Sequence, residues 1–285
     1  YRTRIEMFFA DKLKDYEILD TGDGMKLERW GGITLARPDP QTIWPKQRPE
    51  LWRKADALYH RSSKGGGAWQ FNTKLPERWT VGYGPLKFYV RPTGFKHTGL
   101  FPEQSANWQF CMDNLRPGDK VLNLFAYTGG ATLACAQVGA SVVHVDSAKS
   151  MVGWARENAA LSKLADRPIR WIVDDCLKFV KREQRRGNHY DGIIMDPPSY
   201  GRGADGQIWK VEENLFELVE EAAKLLTDNP RFFIISSYTT GLSGVVTANM
   251  LRIVTPGGSV DSGDLVIPTQ TGVLLPCGTT ARWTP

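Results

Sequence analysis

An acid followed by two prolines ends a buried strand in the second half of the chain. The strand covers Asp191 to Met195, and the residues after it read D-P-P-S-Y (196–200). Proline fixes the backbone angle φ and has no N–H to donate, so the strand stops here and the loop is stiff. Open α/β sheets do their chemistry at the carboxyl ends of strands. We therefore expect catalytic groups in this loop, although an acid before a Pro-Pro terminator also arises by chance.

A second motif, N-L-F-A-Y-T-G-G (123–130), follows an earlier strand. Its adjacent glycines allow a sharp turn into a helix and leave backbone N–H groups open to a ligand at the helix's amino end. The next strand ends at Asp146, where an acid commonly accepts hydrogen bonds from a ribose diol. Asp175, after the third strand, is placed to accept from an adenine amino group. Alternatively, Asp146 is an acid favoured by a helix dipole and Asp175 an N-cap.

These motifs favour a nucleoside ligand that carries no pyrophosphate. The dinucleotide-binding pattern G-x-G-x-x-G is absent, since only Gly129 and Gly130 occur here, side by side. S-adenosylmethionine contains an adenosine and no phosphate, so it suits the pattern. Polar residues follow each of the first four strands, which favours one shared cleft over four unrelated helix caps.

The elements that position these motifs alternate between strand and helix after about residue 105, as in βαβ units. We predict strands at Val121–Phe125, Ser141–Val145, Ile169–Val173, Asp191–Met195 and Phe232–Ser236. We predict helices at 128–138, 148–161, 177–185, 209–226 and 243–253. A closing hairpin, 265–267 with 273–275, has no helix between its strands, so a parallel sheet should end in antiparallel strands.

The first third of the chain has a different rhythm, because short apolar runs alternate there with Gly-rich turns. It predicts a small antiparallel β domain with strands at 16–19, 26–30, 33–37, 68–71 and 86–90. Residues 38–67 form a long excursion or a helix with a loop. We place the domains at residues 1–100 and 101–285, with the amphipathic helix Glu103–Leu115 as the link.

The positive charge is concentrated in this first third. Residues 1–105 contain 18 Lys and Arg against 12 Asp and Glu, whereas residues 106–285 contain 18 against 19. Five of the ten tryptophans lie among these basic residues. Such interleaving suits phosphate contact and base stacking, and predicts RNA binding. A lid, or an ordinary core with a solvated surface, explains the pattern as well.

The cysteines and the apolar runs exclude several classes of protein. The four cysteines show no metal-ligand spacing, so we expect no metal and no disulfide framework, and a reducing cytoplasm. Apolar runs of about 18 residues are absent, and residues 1–11 do not resemble a secretory signal, so we expect no membrane span.

Four segments together resemble the class I S-adenosylmethionine-dependent methyltransferases. They are V-L-N-L-F-A-Y-T-G-G (121–130), H-V-D-S (144–147), V-D-D-C-L-K (173–178) and M-D-P-P-S-Y (195–200). More narrowly, the chain is similar to the group that methylates bases of large-subunit ribosomal RNA. Residues 97–104 resemble that group's K-T-G-x-x-x-D-Q-R element, although Ser105 replaces its arginine. The resemblance, strong over 86–240, implies a Rossmann-like, seven-stranded sheet with an antiparallel terminal hairpin.

The resemblance also implies roles for individual residues. Asp196 and the Pro197 carbonyl would accept hydrogen bonds from a target nitrogen, and Tyr200 would stack on the base. S-adenosylmethionine would be bound by residues from all of these segments: Phe101, Gln104, Asn123, Phe125, Tyr127, Thr128, Gly129, Asp146, Ser147, Asp175 and Asp196.

One difference from the family, a missing cysteine, bears on which atom accepts the methyl group. Relatives that methylate carbon 5 of cytosine use a cysteine of a Ser-Cys-Ser element, where this chain has Ser236 and Ser237. A hydroxyl is a much weaker nucleophile than a thiolate at neutral pH. We therefore predict transfer to a nucleobase nitrogen of ribosomal RNA, with an oxygen as the alternative. Two other hypotheses stay open: a methyltransferase for a small molecule or protein side chain, and a non-catalytic RNA-binding protein on the same fold.

Overall fold

The computed structural model describes residues 2–203, 205–239 and 241–285, with side chains from residue 6 onward. The helices in these residues are α1 Pro49–Trp52, α2 Ser105–Asn114, α3 Gly130–Gln137, α4 Lys149–Leu161, α5 Cys176–Arg186, α6 Val211–Ala223 and α7 Gly244–Val254. The strands are β1 Arg2–Phe9, β2 Tyr16–Gly22, β3 Met25–Trp30, β4 Ile33–Pro38, β5 Ala57–Arg61, β6 Gly67–Phe71, β7 Trp79–Tyr83, β8 Leu86–Val90, β9 Lys120–Leu124, β10 Ser141–Asp146, β11 Ile169–Val173, β12 Gly192–Met195, β13 Tyr200–Arg202, β14 Ile208–Lys210, β15 Phe232–Ser237, β16 Ser259–Pro268 and β17 Leu274–Thr284.

The chain divides into two compact units. The larger unit consists of Tyr1–Phe8, Ala106–Leu265 and Cys277–Pro285, and the smaller unit of Phe9–Ser105 and Val266–Pro276. This division differs from a single cut at residue 100 in three respects. The main boundary lies between Ser105 and Ala106. The first eight residues belong to the larger unit, and the tip of the β16–β17 hairpin belongs to the smaller one.

The larger unit is built on an eight-stranded mixed sheet in the order β1-β16-β17-β15-β12-β9-β10-β11. Strands β15, β12, β9, β10 and β11 are parallel, and β17 pairs antiparallel with β15. This confirms the parallel sheet with antiparallel terminal strands. The sheet has eight strands instead of seven because β1, which was not predicted, adds an edge strand, and the hairpin strands are also much longer than predicted.

Near-continuous apolar runs explain why the central strands are parallel and covered by helices. Every residue of β12 and β15 is buried. Helices α5 and α6 place Phe179 and Leu215 in the same core as Leu122 and Ile193 of the sheet. Each such side chain stabilises the fold by about 1.5–3 kcal/mol relative to exposure. Parallel strands with helical connections hold all their carboxyl ends at one edge.

The smaller unit has a five-stranded sheet, β2-β3-β4-β5-β6, and a separate β7–β8 hairpin. The prediction of a β-rich first domain is confirmed. Antiparallel pairing holds except between β4 and β5, which are parallel because residues 39–56, including α1, carry the chain back before β5 begins. Strand β5 therefore lies inside residues 38–67, for which the sequence analysis predicted no strand.

A buried ion pair ties β3 to β4 in the smaller unit. Arg37 donates from Nε and Nη2 to the two carboxylate oxygens of Glu28, at 2.6 and 2.8 Å, and the Tyr16 hydroxyl donates to the same carboxylate. Burial alone would raise the pKa of Glu28, but the charges of Arg37 and Lys26 and these hydrogen bonds lower it to about 2. The bidentate geometry satisfies charges that would otherwise be costly to bury.

Across residues 2–203, 205–239 and 241–285, no helix combines the length and apolar character that a membrane span requires. The same residues contain no group of three or more His, Cys, Asp and Glu side chains arranged to hold a metal ion.

Candidate functional site

The register of the parallel strands brings the predicted motifs to one edge of the sheet. Leu124 pairs with Val145 on one side and with Met195 on the other, and Met195 pairs with Ile235. These strands therefore end level with one another, and the loops that follow them begin at the same edge of the sheet. This is the edge at which open α/β sheets bind ligands.

The loop from β9 to α3 has an unusual backbone. Phe125 and Tyr127 adopt positive φ angles of 55° and 53°, which are uncommon for residues with a side chain, and Gly129 has φ 89°. Strained backbone of this kind clusters at ligand sites, where the surrounding structure maintains it. Gly129 is the N-cap residue of α3 and makes no side-chain cap, so the helix opens with backbone groups alone.

The second glycine of this loop is required by packing. A Cβ on Gly130 would lie 2.5 Å from the indole ring of Trp108, which is closer than side chains approach one another. The helix thus begins directly against Trp108. The loop's path is set by contacts within the larger unit.

Asp146 joins the end of β10 to this loop. Its Oδ2 accepts from the backbone N–H of Tyr127, and its Oδ1 accepts from the N–H of Ala148, both at 2.9 Å. Burial raises the pKa of the carboxyl group, while the two backbone donors oppose the rise. Each oxygen retains a lone pair, so the carboxylate can accept from two further donors, such as the hydroxyls of a ribose diol.

A buried network of hydrogen bonds supports the loop between β9 and α3. Asn123 donates from Nδ2 to the Thr132 hydroxyl at 3.0 Å, and that hydroxyl lies 2.8 Å from Nδ1 of His144. Burial lowers the pKa of His144 to about 3, so its ring is neutral at physiological pH. Asn123 was predicted to touch the cofactor. In the structure, the Asn123 amide points towards helix α3 and supports it through Thr132. Direct contact of Asn123 with the cofactor stays a prediction.

The remaining predicted cofactor residues of the larger unit lie at the same edge. The Thr128 carbonyl accepts from the Asn158 amide at 2.9 Å, and Ser147 is exposed between β10 and α4. Asp175 is the N-cap of α5, because its Oδ1 accepts from the Lys178 N–H at 2.9 Å. The capping alternative is therefore realised for Asp175. A contact of its other oxygen with adenine stays a prediction.

The D-P-P-S-Y loop is held in place at three points. The Pro198 carbonyl accepts from the indole N–H of Trp209 at 2.6 Å, and the Ser199 carbonyl accepts from the Val211 N–H at 3.0 Å. The Ser199 hydroxyl lies 2.6 Å from that of Thr239. Together with the prolines, these bonds hold Asp196 and Pro197 in a stiff segment directly after β12.

A short hairpin follows this loop and was missed by sequence analysis. Strand β13 pairs with β14, and Tyr200, 52% exposed, lies opposite Lys210. The predicted helix 209–226 was wrong at its start, because Trp209 belongs to β14 and α6 begins at Val211. The turn residues G-R-G-A-D-G (201–206) between two aromatic positions were the signal that could have indicated a hairpin.

Trp209 connects this hairpin to the glycine loop. Its ring lies 5.1 Å from that of Phe125, in addition to the hydrogen bond to Pro198. One side chain thus contacts both the predicted cofactor loop and the predicted catalytic loop. Only the folded chain brings these segments together.

Two predicted cofactor residues lie in the smaller unit. Phe101 precedes the 3₁₀ turn Pro102–Gln104, in which the Gln104 N–H donates to the Phe101 carbonyl at 3.1 Å. The Phe101 ring packs edge-on against His97 at 5.4 Å. Their contact with a cofactor stays a prediction.

The four cysteines are all buried and free. Cys176 begins α5, and burial raises the pKa of its thiol far above the ordinary value. The pKa of Cys135 is also raised, first by its hydrogen bond with Cys111 and then by burial. Neither Cys135 nor Cys176 is therefore suited to act as a thiolate at neutral pH.

Known proteins match this chain over most of its length. The model of the S-adenosylmethionine-dependent methyltransferase family matches residues 54–226. The crystal structure of an S-adenosylmethionine-dependent methyltransferase from Agrobacterium tumefaciens superposes with a TM-score of 0.94, at 34% identity, over 100% of this chain and 95% of that one. A Streptococcus mutans protein superposes with a TM-score of 0.73 over 95% of this chain and 76% of that one, at 19% identity, and shows the fold alone.

Curated relatives are similar over a part of their length. The ribosomal RNA large subunit methyltransferase K/L of Syntrophotalea carbinolica is 32% identical over 59% of this chain and 23% of its own. The protein of the same name from Shewanella oneidensis is 33% identical over 77% of this chain and 31% of its own. The chain thus spans about a quarter to a third of the length of these relatives. With the family model and the Agrobacterium structure both matched, the chain belongs to the S-adenosylmethionine-dependent methyltransferases.

Proposed function

We propose that this methyltransferase transfers the methyl group to a nitrogen of a nucleobase in large-subunit ribosomal RNA. The observation that supports the proposal most is the D-P-P segment that follows β12 beside the glycine loop. An acid and proline carbonyls in a fixed loop suit a substrate amino group, which presents N–H donors. The names of the curated relatives support an RNA substrate, and the proposal includes the cytoplasm, where that RNA would be met.

The residues present fit S-adenosylmethionine. Asp146 is already oriented by two backbone N–H groups, which leaves both oxygens able to accept from ribose hydroxyls. The uncapped start of α3 and the positive-φ loop form a cradle of backbone without a phosphate fingerprint. When bound, the cofactor supplies an activated methyl group on a sulfonium.

The chain's own contribution is positioning. Asp196 and the Pro197 carbonyl accept hydrogen bonds from the target nitrogen and aim its lone pair at the methyl carbon. The nitrogen would then accept the methyl group that S-adenosylmethionine supplies. The nitrogen then loses its extra proton to solvent. The exposed ring of Tyr200 stacks on the base, and its hydroxyl accepts from Arg202 Nε at 3.2 Å.

The cysteines bear on which atom accepts the methyl group. Methylation at carbon 5 of a pyrimidine requires a thiolate that adds to the ring, and burial raises the pKa of Cys176. Positions 236 and 237, the last two residues of β15, are buried serines. Nitrogen transfer needs no covalent intermediate, so it is the reaction that these residues support best.

The test is transfer of labelled methyl from S-adenosylmethionine to purified ribosomal RNA, followed by mass spectrometry of the nucleosides. We expect an N-methylated base, and Asp196→Asn should lower the rate about 100-fold. The matched control is Asp228→Asn, which changes an exposed acid on the same unit. A carbon-methylated base, or label in protein or small molecules only, would overturn the proposal.

A further inference from the structure

The β5–β6 hairpin of the smaller unit presents an aromatic row on one face. Tyr59 pairs with Trp69 across the hairpin, and their rings meet edge-on at 5.4 Å. Phe71 is two residues from Trp69, so it lies on the same face, and the two rings stack at 6.5 Å with 25° between their planes. Phe71 is 56% exposed. The row therefore runs from a buried tyrosine to an open phenylalanine at the edge of the sheet.

A loop of the same unit extends this face. The indole N–H of Trp69 donates to the carbonyls of Thr93 and Phe95, at 2.8 and 3.0 Å. Arg37 donates from Nη1 to the carbonyl of Lys96 at 3.0 Å. The backbone of residues 93–96 is thereby tied to the sheet, while the Phe95 side chain is 67% exposed. A large apolar side chain this exposed, on a segment this well fixed, is available to a ligand.

Cationic residues of β3, β4 and β5 lie near this loop. Arg61 shares the face of Tyr59 by strand alternation, and Lys26 lies opposite Arg37. The pKa of Lys96 is lowered to about 8, first by burial and then by the charges of Lys26, Arg61 and Arg37, with Asp39 opposing. Like charges crowded in this way are costly, and a bound anion would relieve the cost.

The charges on this face are only partly balanced. Arg37 is neutralised by Glu28, and Lys26 lies 3.7 Å from Asp39. Within the described part of the chain, no carboxylate lies at ion-pair distance from Arg61 or Lys96. Two cations therefore remain for a ligand beside the exposed rings.

We propose that Arg61, Trp69, Phe71, Phe95 and Lys96 form a binding face for a single-stranded segment of RNA. This inference rests on the proposed RNA substrate and assigns RNA contact to the smaller unit. Bases stack on the open rings of Phe71 and Phe95, and phosphates contact Arg61 and Lys96. An acidic peptide or an anionic membrane would contact Arg61 and Lys96, but it has no bases to stack on the rings of Phe71 and Phe95.

The test measures binding of the 285-residue chain to a fluorescein-labelled single-stranded oligoribonucleotide by anisotropy, over a range of salt concentrations. Phe71→Ala should raise the Kd about 5- to 150-fold, the range found for one stacked base. Arg61→Ala should weaken binding and reduce the slope of log K against log salt by about 0.7, as for one lost phosphate contact. Both side chains are exposed, so the folded state should persist, which circular dichroism checks.

Matched controls lie elsewhere on the smaller unit. Ile43→Ala removes an apolar side chain that is even more exposed, and Arg53→Ala removes an exposed cation next to α1. Both should bind RNA as the wild type does. Loss of affinity in Arg61→Ala without loss in Phe71→Ala, or equal affinity for polyglutamate or phosphatidylglycerol vesicles, would overturn the RNA face in favour of a general anion site. Absence of RNA binding by the wild type would also overturn it.

The outcome also separates this inference from the proposed function. If the wild type binds RNA through Phe71 and Arg61 but transfers no methyl group to it, the proposed substrate is wrong and the binding face stands. If methyl transfer to RNA occurs and neither variant changes RNA affinity, the proposed function stands and the face is wrong.

Discussion

The indole N–H of Trp209 donates to the carbonyl oxygen of Pro198 at 2.6 Å. The same ring packs 5.1 Å from Phe125 of the glycine loop. The hydrogen bond from Trp209 thus fixes the orientation of the Pro198 carbonyl, eleven residues earlier in the chain. We expect Trp209 to act as a positioning residue, because it contacts both loops.

We predict that Trp209→Phe lowers kcat about 2- to 10-fold, the worth of one hydrogen bond, because the ring is kept and only the N–H is lost. Trp209→Ala should lower kcat further, since it also removes the contact with Phe125. Steady-state kinetics and calorimetric titration with S-adenosylmethionine check this. The affinity for the cofactor should change less than kcat in the Phe variant. Wild-type kcat in Trp209→Phe would show that the bond does not position the loop.

Asp146→Asn should weaken S-adenosylmethionine binding about 10- to 100-fold, because a charged acceptor is worth about 1.5–3 kcal/mol per hydrogen bond. Calorimetry measures the change, with Asp166→Asn, an exposed acid, as the control. The ionised carboxylate is the better acceptor, and burial raises its pKa. Wild-type affinity should therefore be full at neutral pH and decline as the pH falls through a value above the ordinary pKa of an aspartate. An affinity independent of pH in the acid range would argue against an ionised Asp146 as the ribose acceptor.

Gly129→Ala and Gly130→Ala should both destabilise the larger unit, for different reasons. At Gly129 the φ of 89° is unfavourable for alanine by about 1–2 kcal/mol, and at Gly130 the new Cβ would collide with Trp108, at a cost of about 1–3 kcal/mol. Gly153→Ala is the control, because that glycine lies inside α4 with open space around it, and alanine should stabilise by about 0.5–1 kcal/mol. Urea unfolding measures all three. Equal stabilities for Gly130→Ala and wild type would contradict the packing argument.

Glu28→Gln should destabilise the smaller unit by about 3–5 kcal/mol, because Arg37 is left buried without its counter-charge. The pKa of Glu28 is lowered to about 2 in the folded chain, so its contribution to stability is complete above the unfolded pKa of about 4.3 and is lost as the pH falls towards 2. Thermal unfolding at pH 7 and at pH 3 measures this. The Tm difference between wild type and Glu28→Gln should shrink at the lower pH, whereas the exposed control Glu50→Gln should resemble wild type at both. A difference that does not depend on pH would exclude ionic stabilisation.

Much of the larger unit could be predicted because its pattern is local. Apolar runs such as Gly192–Met195 and the helices between them occur where the period and the turn residues place them, within a few residues. Strand β1 could not be predicted, since an edge strand formed by the first residues depends on a partner, β16, more than 240 residues away. The parallel β4–β5 pair was missed for the same reason, because pairing direction depends on how a long excursion returns.

In the candidate site, too, features set by local sequence could be predicted and features set by distant contacts could not. Asp146, Gly129 and Asp196 were recognisable because each lies at the end of a strand or in the loop after it, and strand ends can be predicted from sequence. The role of Asn123 was not, because a polar residue in a strand says nothing about whether it faces a ligand or a helix. Trp209, in the second strand of the hairpin 200–210, was read as the start of a helix, although the glycines before it favoured a turn.

By itself, the sequence determined the alternation of strands and helices, the loops that follow each strand, the concentration of positive charge in the first third and the family to which the chain belongs. These follow from local backbone preference, hydrophobic period and short motifs. Only the tertiary structure decided that Trp209 bonds to Pro198 and packs on Phe125, that Asn123 supports α3 through Thr132, and that Trp69 and Arg37 hold the backbone of residues 93–96. The reason is physical: contacts between distant residues depend on register and packing, which are set when the chain closes on itself.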